Sequence, residues 1–443
     1  MFSLIVPAQL KKGKFKTTVL SDEDDIYCRC TTPYTLTGEA KLKEAIQPES
    51  MFTEYGFEIV HEKAASINIR KKEVITNKGN VFNYDYLVIS TGASPVKPQI
   101  PGIDLDNVYT VRTSRDASNI LTSLKKSKSA LVIGAGVIGM EMAAALRANG
   151  VEVALVEYAK SINENIADTE FASMVVANLE KNGIRTKFDS QVSEIKRTKP
   201  KVTEVVIKTA DKQEVLTVDF VVVAAGIVPN LEVLKGTGIK ANKFGILVDR
   251  KMRTNKKDIF ACGDCCVPVS AVTGENRPSS LASSAIQQAK IVGFQIAGYP
   301  IAYAGSTGAF AFKAAGKEYA SAGLTEAAAR KSYRIVIVGR AQTTDVYRDL
   351  INKKPLEVKL IFAGPTLRLV GYEAFGNGVI ASAEVASFAI GLKLNILKLL
   401  KFNYIAHPSL TPWPFMNPII MATEDAMNNA MKKLKSFFMF SKQ

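Results

Sequence analysis

The sequence predicts an α/β protein built around a doubly wound, mainly parallel sheet. A segment near the middle of the chain has the order strand, glycine-rich turn, helix and strand, which is typical of such folds. Three further apolar runs each end in a turn of small residues, and they bracket that segment. With 443 residues, 47% of them hydrophobic and 22% charged, the chain is long enough for two or three globular domains.

The central segment, residues 129–157, reads SALVIGAGVIGMEMAAALRANGVEVALVE. Its first and last apolar runs predict strands, and MEMAAALRA between them predicts a helix that ends at Gly150. Gly134 is expected in the tight turn after the first strand, Gly136 where the backbone approaches a pyrophosphate, and Gly139 where helix and strand pack closely. The complete unit predicts a dinucleotide site rather than an ordinary α/β crossover.

Glu157 ends the second strand of this unit, about 20 residues after the glycines. An acid at this position can accept hydrogen bonds from the adenosine ribose and repels a 2′-phosphate, so NADH is favoured over NADPH. Lys160 lies nearby in the sequence and weakens this preference.

The three other apolar runs end in turns that allow the backbone to pass close beneath a flat cofactor. The first ends at Thr91 and Gly92, the second at Gly226, and the third leads into Gly263 and Asp264. A carboxylate that follows a glycine at a strand end can accept hydrogen bonds from a sugar-alcohol chain. Each turn alone is typical of any strand exit, but their order around the dinucleotide unit favours cofactor binding. The runs are Tyr84–Pro95, Val218–Asn230 and Lys257–Cys266.

The five cysteines occur in two groups. Cys28 and Cys30 lie in YCRCTTPY, a spacing compatible with a disulfide, half of a metal site, a redox nucleophile with a neighbour, or coincidence. In an extended segment their Cα atoms would be about 6.5–7 Å apart, the upper limit for a disulfide. The second group, ACGDCC, has no histidine to complete a tetrahedral site, so we predict buried small side chains and no metal. These are Cys262, Cys265 and Cys266.

Composition excludes several classes of function. The formal charge of +15, from 57 basic and 42 acidic residues, favours anionic ligands, but the lysines are scattered and no nucleic-acid partner is predicted. Only His61 and His407 are present, too few for a multi-histidine metal site. No apolar run approaches the roughly 18–20 residues that cross a bilayer, and the N-terminal charges follow the apolar stretch, the reverse of a secretory signal. The sequence predicts a cytoplasmic protein, whose basic amphipathic ending, residues 425–443, packs on its own domain or a partner subunit rather than on a membrane.

From about residue 14 to about residue 423, these features resemble the flavin-dependent pyridine nucleotide-disulfide oxidoreductases. They are most similar to the branch with a single active-site cysteine, which includes coenzyme A-disulfide reductases, NADH oxidases, NADH peroxidases and polysulfide reductases. Cys30 matches the redox cysteine of its C-x-x-P-Y pattern, with Cys28 as a bystander. Glu141 matches a carboxylate near the flavin N5, and Tyr404 a tyrosine that reaches the flavin of the other subunit.

The resemblance implies the complete architecture. It consists of two Rossmann-like three-layer domains, which bind FAD and NAD, and a C-terminal α+β dimerisation domain, so that the enzyme is a homodimer. The FAD-binding domain is expected at residues 1–109 and 229–300, the NAD-binding domain at 110–228, and the dimerisation domain at 301–443.

One part of the family pattern is not found in the sequence. Relatives begin with a strand and a second G-x-G-x-x-G that holds the FAD pyrophosphate, whereas KFKTTVLSDE matches the second strand of such a unit and PAQLKK the end of its helix. We therefore expect the first FAD segment to be incomplete at its N terminus. Either the true start lies upstream or FAD binds poorly.

The implied function is NADH-dependent, FAD-mediated reduction of a small disulfide, a polysulfide or oxygen through Cys30. The reaction requires a thiolate, and Arg29, the flavin or a helix end could lower the pKa of the thiol. The alternatives are electron transfer to a redox protein, as in rubredoxin reductases, which lack the cysteine, and a non-catalytic nucleotide-binding remnant.

Two departures weaken the case for coenzyme A, which we retain as an additional possibility. Ile286 and Gln287 stand where coenzyme A-disulfide reductases often carry Asn-Arg, and no lysine lies near Pro412 and Trp413. His407 could protonate a leaving thiolate, but a structural role beside the adjacent proline is the more common one.

Overall fold

The computed structural model describes residues 15–199 and 202–440. The predicted helix remnant at residues 7–12 lies outside these ranges. The described chain forms the predicted α/β fold, with parallel sheets in its first two thirds and a large antiparallel sheet near its C terminus. No helix within the described ranges is both long and apolar enough to cross a membrane.

The N-terminal part begins with a strand where KFKTTVL predicted one. Strand β1 pairs in parallel with β4, and β8 pairs in parallel with β21, which comes about 170 residues later in the chain. The pairing of β8 with β21 brings two of the predicted apolar runs side by side. The elements are β1 (Thr17–Leu20), β2 (Ile26–Tyr27), α1 (Thr32–Thr37), α2 (Leu42–Ala45), β3 (Ile46–Gln47), α3 (Ser50–Thr53), β4 (Phe57–Val60), β5 (Ala64–Asn68), β6 (Glu73–Thr76), β7 (Val81–Asn83) and β8 (Leu87–Ile89).

The middle part contains a five-stranded parallel sheet in the order β10-β17-β11-β12-β13, flanked by helices. The predicted boundary between residues 109 and 110 falls inside β10, which lies at the edge of this sheet. Strands β9 and β18 pair with each other where the chain enters and leaves this part. The elements are β9 (Ala93–Pro95), β10 (Val108–Thr110), α4 (Ser114–Leu124), β11 (Ser129–Ile133), α5 (Val137–Ala148), β12 (Glu152–Val156), α6 (Thr169–Lys181), β13 (Ile184–Lys187), β14 (Gln191–Lys199), β15 (Val202–Lys208), β16 (Gln213–Val218), β17 (Phe220–Val223) and β18 (Ile227–Pro229).

The chain then returns to the N-terminal part. Strand β21 joins β8, and helix α7 packs beside their ends through Ala289 and Val292. The elements are β19 (Ala241–Asn242), β20 (Gly245–Leu247), β21 (Ile259–Ala261), β22 (Cys266–Val267) and α7 (Ala282–Ile296).

The C-terminal part is a five-stranded antiparallel sheet in the order β23-β24-β27-β26-β25. Helix α11 packs so closely on β25 that a Cβ at Gly339 would lie 1.8 Å from the carbonyl oxygen of Ala422. The basic ending therefore packs on its own domain over this stretch, one of the two outcomes expected for it. The elements are β23 (Phe310–Ala314), β24 (Lys317–Gly323), α8 (Glu326–Ser332), β25 (Val336–Thr344), β26 (Pro355–Ala363), β27 (Arg368–Gly376), α9 (Val379–Gly391), α10 (Ile396–Leu399) and α11 (Pro418–Phe440).

Candidate active site

The glycine-rich turn between β11 and α5 has the shape that a dinucleotide requires. Gly134 has a φ of +102°, and a Cβ there would lie 2.4 Å from the carbonyl oxygen of Ala224. A Cβ at Gly139 would lie 1.9 Å from the carbonyl oxygen of Gly134, so this glycine allows the helix to pack on the turn. Gly136 caps α5 and faces open space. The turn therefore leaves room for a pyrophosphate at the helix N terminus.

Glu157 folds back onto this turn. One carboxylate oxygen accepts a hydrogen bond of 2.7 Å from the backbone N–H of Ala135, and the other accepts one of 2.8 Å from that of Ala159. The carboxylate is thus held beside the open glycine. Each of its oxygens keeps a further lone pair for a ribose hydroxyl.

The predicted turn at Thr91 and Gly92 is tied to the end of β18. The Thr91 hydroxyl donates to the carbonyl of Asn230 at 2.7 Å, and the Asn230 side chain donates to the carbonyl of Thr91 at 2.9 Å. Gly226 has a φ of +109°, and nothing lies within 4 Å of a Cβ built there. These bonds fix two of the predicted cofactor turns relative to each other.

A third turn, at Gly263 and Asp264, lies close to Gly92. Arg112 links them, because its guanidinium lies 3.8 Å from the Asp264 carboxylate and 3.0 Å from the position of a Cβ at Gly92. The backbone N–H of Gly263 donates to the buried side chain of Gln288 on α7 at 2.8 Å. The two glycine turns thus lie beside one partly buried cation and one carboxylate.

Cys30 lies in a short 3₁₀ turn, Arg29–Thr31, that leads into α1. The carbonyl of Cys28 accepts hydrogen bonds from the backbone N–H and the hydroxyl of Thr31, which closes the turn. The sequence-based assumption of an extended segment is therefore wrong: the chain curls here because Pro33 in the first turn of α1 favours a helical start. Both cysteines are free thiols and both are exposed.

The electrostatic surroundings of Cys30 raise the pKa of its thiol. Although the residue reaches the surface, neighbouring protein atoms replace part of the water around the sulfur, and Cys28, Glu141 and Asp264 add to the shift. Arg29 opposes this only weakly, since its guanidinium is paired with Glu23. Arg29 therefore lowers the pKa of this thiol, as the sequence suggested, but the protein groups together raise it.

Glu141, on α5, faces α1. The Tyr34 hydroxyl and the backbone N–H of Lys313 both donate to its Oε1, each at 3.3 Å. Burial raises the pKa of Glu141. Glu141 is therefore packed between α1 and β23 and is not an ordinary solvated helix residue.

Tyr404 and His407 make local hydrogen bonds within the C-terminal segment. The Tyr404 hydroxyl donates to the carbonyl of Pro414 at 2.6 Å, within its own C-terminal segment. His407 bonds to Ser409 two residues on, which is a local turn contact.

The ACGDCC cysteines are buried, as predicted. Burial raises the pKa of Cys262 to about 11, so this thiol stays protonated at neutral pH. Within the described ranges, no three His, Cys, Asp or Glu side chains are grouped so as to hold a metal ion.

A model of the pyridine nucleotide-disulphide oxidoreductase family matches residues 6–289, and a model of that family's dimerisation domain matches residues 309–414. The chain belongs to this family. The family predicted from the sequence is confirmed, and so is the predicted architecture of two nucleotide-binding domains and a dimerisation domain.

Individual relatives cover nearly the whole chain. An NADH oxidase of Methanocaldococcus jannaschii is 32% identical over 428 residues, which is 94% of either protein. A CoA-dependent NAD(P)H sulfur oxidoreductase of Pyrococcus furiosus is 27% identical over 82% of either protein. Among solved structures, a NAD-dependent persulfide reductase from A. fulgidus has a TM-score of 0.90 and 28% identity, and the match covers 97% of this chain and 82% of that one.

These relatives confirm the predicted class of enzyme. The protein is an NAD(P)H-dependent flavoprotein oxidoreductase, and its dimerisation domain makes a homodimer the expected assembly.

A buried polar atom near the turns at Gly92 and Gly263, the Nε of Arg29, has no hydrogen-bond partner among the described residues. Arg112 and Asp264 lie in the same region, and the pKa of Arg112 is lowered by burial and by Arg29. Two guanidiniums suit a pyrophosphate and the carboxylate suits a ribityl chain, so the residues fit FAD.

Sequence reasoning missed Arg112 as a site residue. Arg112 follows β10 and precedes α4, about 150 residues from Asp264 in the chain. Its only signal in the sequence is a cation at a strand-to-helix turn of an α/β unit, which is too common to single out. Tyr34 belongs to the C-x-x-P-Y pattern, but the sequence carries no signal of its contact with Glu141, 107 residues away.

Proposed function

We propose that this enzyme uses NADH to reduce a small disulfide or polysulfide through the single cysteine Cys30. One observation carries this proposal: Cys30 is an exposed free thiol, and Tyr34, four residues later, donates a hydrogen bond of 3.3 Å to Glu141, the residue that matches the carboxylate near the flavin N5. This supports Cys30 as the cysteine beside the proposed flavin site, whereas Cys262, Cys265 and Cys266 are buried away from solvent.

The residues that would hold the two cofactors come from different segments. Gly134, Gly136 and Glu157 would bind the dinucleotide, and the same acid favours NADH over NADPH. Gly92, Arg112 and Asp264 would bind FAD, assisted by Thr91, Gly226 and Gly263 at the neighbouring turns. Bound FAD would take a hydride from NADH and pass electrons to sulfur.

We propose the domain division predicted from the sequence, with β10 at the edge of the NAD-binding domain. In that division the FAD-binding residues lie in segments 1–109 and 229–300, apart from Arg112 and Gly226. Both exceptions lie close to the β9–β18 crossover, where the chain passes between the two domains.

The chemistry of the cysteine follows from thiol–disulfide exchange. The Cys30 thiolate attacks one sulfur of the acceptor, forms a mixed disulfide and expels the second sulfur as a thiolate. Two electrons from NADH oxidation and one proton then release the first sulfur as a thiol and restore the Cys30 thiolate. With oxygen as the acceptor, the oxidised form of the cysteine would be a sulfenic acid.

The names of the relatives support both kinds of acceptor. The sulfur oxidoreductase and the persulfide reductase act on sulfur compounds by name, whereas two relatives are named NADH oxidases. We place the sulfur acceptor first because the exposed thiol of Cys30 is suited to thiol–disulfide exchange. Coenzyme A as an additional ligand remains a weaker proposal, because Ile286 and Gln287 depart from the family pattern. We also propose that Tyr404 serves the flavin of the partner subunit, as the family resemblance implies; in its own chain its hydroxyl donates to the carbonyl of Pro414 in the C-terminal segment.

The test is Cys30→Ser in the flavin-loaded protein, with Cys28→Ser as the matched control. Cys30→Ser is expected to lower NADH-dependent reduction of a small disulfide or polysulfide by roughly 10³-fold or more, because the nucleophile is lost. NADH oxidation by an artificial dye should persist in both variants, which shows that the cofactor sites are intact.

Cys28→Ser is expected to retain disulfide reduction. Unchanged disulfide turnover in Cys30→Ser would exclude the proposal. In that case electron transfer to a redox protein without thiol chemistry would be the better explanation. A protein that shows no flavin absorbance even after addition of FAD would favour the nucleotide-binding remnant.

A further inference from the structure

Gln288 on α7 is a polar residue without any exposed surface. Its side-chain oxygen accepts a hydrogen bond of 2.8 Å from the backbone N–H of Gly263 and one of 3.4 Å from the thiol of Cys266. Its side-chain nitrogen Nε2 is buried and has no hydrogen-bond partner among the described residues. The protein around this amide therefore uses its oxygen and leaves its nitrogen unpaired.

The stability of the fold does not explain a glutamine at this position. A buried N–H group that lacks a partner costs at least as much free energy as a typical hydrogen bond contributes. Methionine has nearly the same length, fills irregular apolar space well and has no N–H group to satisfy. The two hydrogen bonds that end on the Gln288 oxygen are therefore the feature that distinguishes glutamine from an apolar side chain here.

Gly263, which donates to Gln288, lies in the turn after β21. Its φ of +80° is in the left-handed region, which is costly for a residue with a side chain. A Cβ at Gly263 would lie 3.7 Å from the Ser90 hydroxyl oxygen and 3.9 Å from the Cβ of Ala285. Gly263 is therefore placed between helix α7 and the residue that precedes the first cofactor turn. Because Asp264 follows directly, the orientation of the Gly263 peptide determines where the Asp264 carboxylate lies.

The cysteines of ACGDCC hold the other side of the same turn. The backbone N–H of Cys262 donates to the carbonyl of Ile89, the last residue of β8, at 3.1 Å. The thiol of Cys265 lies 3.5 Å from the Ile89 carbonyl oxygen and 3.4 Å from that of Cys262. Strand β8 therefore fixes the turn on one side, and the Gln288 oxygen fixes it on the other.

From these contacts we propose that Gln288 is a positioning residue for FAD. Its oxygen fixes the Gly263 peptide and so holds the Asp264 carboxylate, 3.8 Å from Arg112, where it can accept hydrogen bonds from the ribityl chain. This inference rests on the proposed FAD site. Gln288 makes no contact with the cofactor in this role and acts only through the turn.

The first test compares Gln288→Met with Val292→Ala, whose altered residue lies four positions later on α7 and is also completely buried. Gln288→Met should raise the Kd for FAD roughly tenfold, because the turn loses one of its two anchors, and should leave the Tm of the FAD-free protein nearly unchanged. Val292→Ala should lower the Tm by leaving a cavity and should not change the Kd. Quenching of FAD fluorescence and thermal unfolding measure the two quantities.

Two outcomes of this comparison would overturn the inference. The first is an unchanged Kd in Gln288→Met, which, with a lower Tm, would show that Gln288 serves the fold alone. The second is an equal rise of the Kd in both variants, since that result would assign the weaker binding to a loosened core and not to the turn.

Hydrogen exchange tests the contact itself without any cofactor. In the FAD-free protein the Gly263 amide should exchange roughly tenfold faster in Gln288→Met than in the unmodified protein, because it loses its acceptor. Mass spectrometry of a peptide covering residues 259–267 measures this change, which should be confined to the turn after β21. Unchanged exchange would show that Gln288 does not hold the Gly263 peptide and would refute the inference.

Asp264→Asn separates this inference from the proposed FAD site on which it rests. Loss of the carboxylate should also raise the Kd for FAD roughly tenfold. If Asp264→Asn binds FAD as tightly as the unmodified protein, the proposed site is wrong. If Asp264→Asn weakens binding and Gln288→Met does not, the site stands and the positioning role of Gln288 is wrong.

Discussion

Two glycines in one motif have different physical reasons to be glycine. At Gly139 a side chain would collide with the backbone of the preceding turn, whereas at Gly136 the φ of −75° is open to any residue and nothing lies nearby. Gly139 is therefore needed for folding. Gly136 is needed only if a ligand occupies the open space beside it.

Gly139→Ala and Gly136→Ala form a matched pair that tests this difference. Gly139→Ala should destabilise the protein by about 1–3 kcal/mol or more, because its Cβ has no room at 1.9 Å from a carbonyl oxygen. Gly136→Ala should leave the Tm nearly unchanged and raise the KM for NADH. Thermal unfolding and steady-state kinetics measure the two effects. A Tm that falls equally in both variants would contradict the assignment of the nucleotide site.

The elements of the NAD-binding and dimerisation domains meet at a buried ion cluster. Lys359 on β26 is completely buried, and its ammonium lies 2.5 Å from Asp168 and 2.9 Å from Glu373. Glu170 on α6 also lies close to this ammonium, with a carboxylate oxygen 2.7 Å away. Asp168 caps α6 and also accepts backbone hydrogen bonds from the first turn of α8. The cluster therefore fixes the position of the NAD-binding domain on the dimerisation sheet.

Glu373 makes the stability of this contact depend on pH. Burial and the neighbouring Asp168 raise the pKa of Glu373 to about 8 from its ordinary 4.5. The folded protein therefore holds a proton on Glu373 that the unfolded chain has lost, and this contribution to stability disappears as pH rises through 8.

Glu373→Gln should remove this pH dependence and keep the hydrogen bond to Tyr319. Between pH 6 and 8 the free energy of unfolding of the unmodified protein should fall relative to that of the variant, by up to about 1.4 kcal/mol per pH unit. Urea unfolding of both proteins at several pH values measures the difference. If the free energy of unfolding changes with pH in the same way in both proteins over this range, Glu373 is already ionised in the folded state.

At the scale of the whole molecule, α9 exposes an apolar surface that the described residues leave uncovered. Phe388 is 72% exposed, and Ile380 and Val385 are exposed on the same helix. Leu392, the residue after the helix, is 62% exposed. This helix belongs to the part of the chain that matches the family's dimerisation domain. Burial of such side chains stabilises association by about 25 cal/mol per Å² of apolar surface.

Phe388→Asp should therefore weaken self-association, measured by sedimentation or light scattering, because a charge would be buried in the interface. Ile351→Asp is the control, since Ile351 is a fully exposed residue in the loop between β25 and β26. Loss of the dimer should also reduce turnover if Tyr404 serves the partner's active site. Equal dimer stability in both variants would place the interface elsewhere on the molecule.

The sequence by itself determined the features that depend on residues adjacent in the chain. The glycine unit from β11 to β12 and the turns at Gly92 and Gly263 could be predicted, because neighbouring residues specify local backbone geometry. The redox role of Cys30 stays a prediction. The 3₁₀ turn at Cys30 was missed, although Pro33, three residues later, favoured it.

Only the tertiary structure decided which distant groups meet. Tyr34 and Glu141 are 107 residues apart, Arg112 and Asp264 about 150, and Lys359 and Asp168 191. Their contacts depend on how whole elements pack. The direction of the pKa shift at Cys30 depends on packing too, because burial and charged residues from distant parts of the chain act on the thiol together.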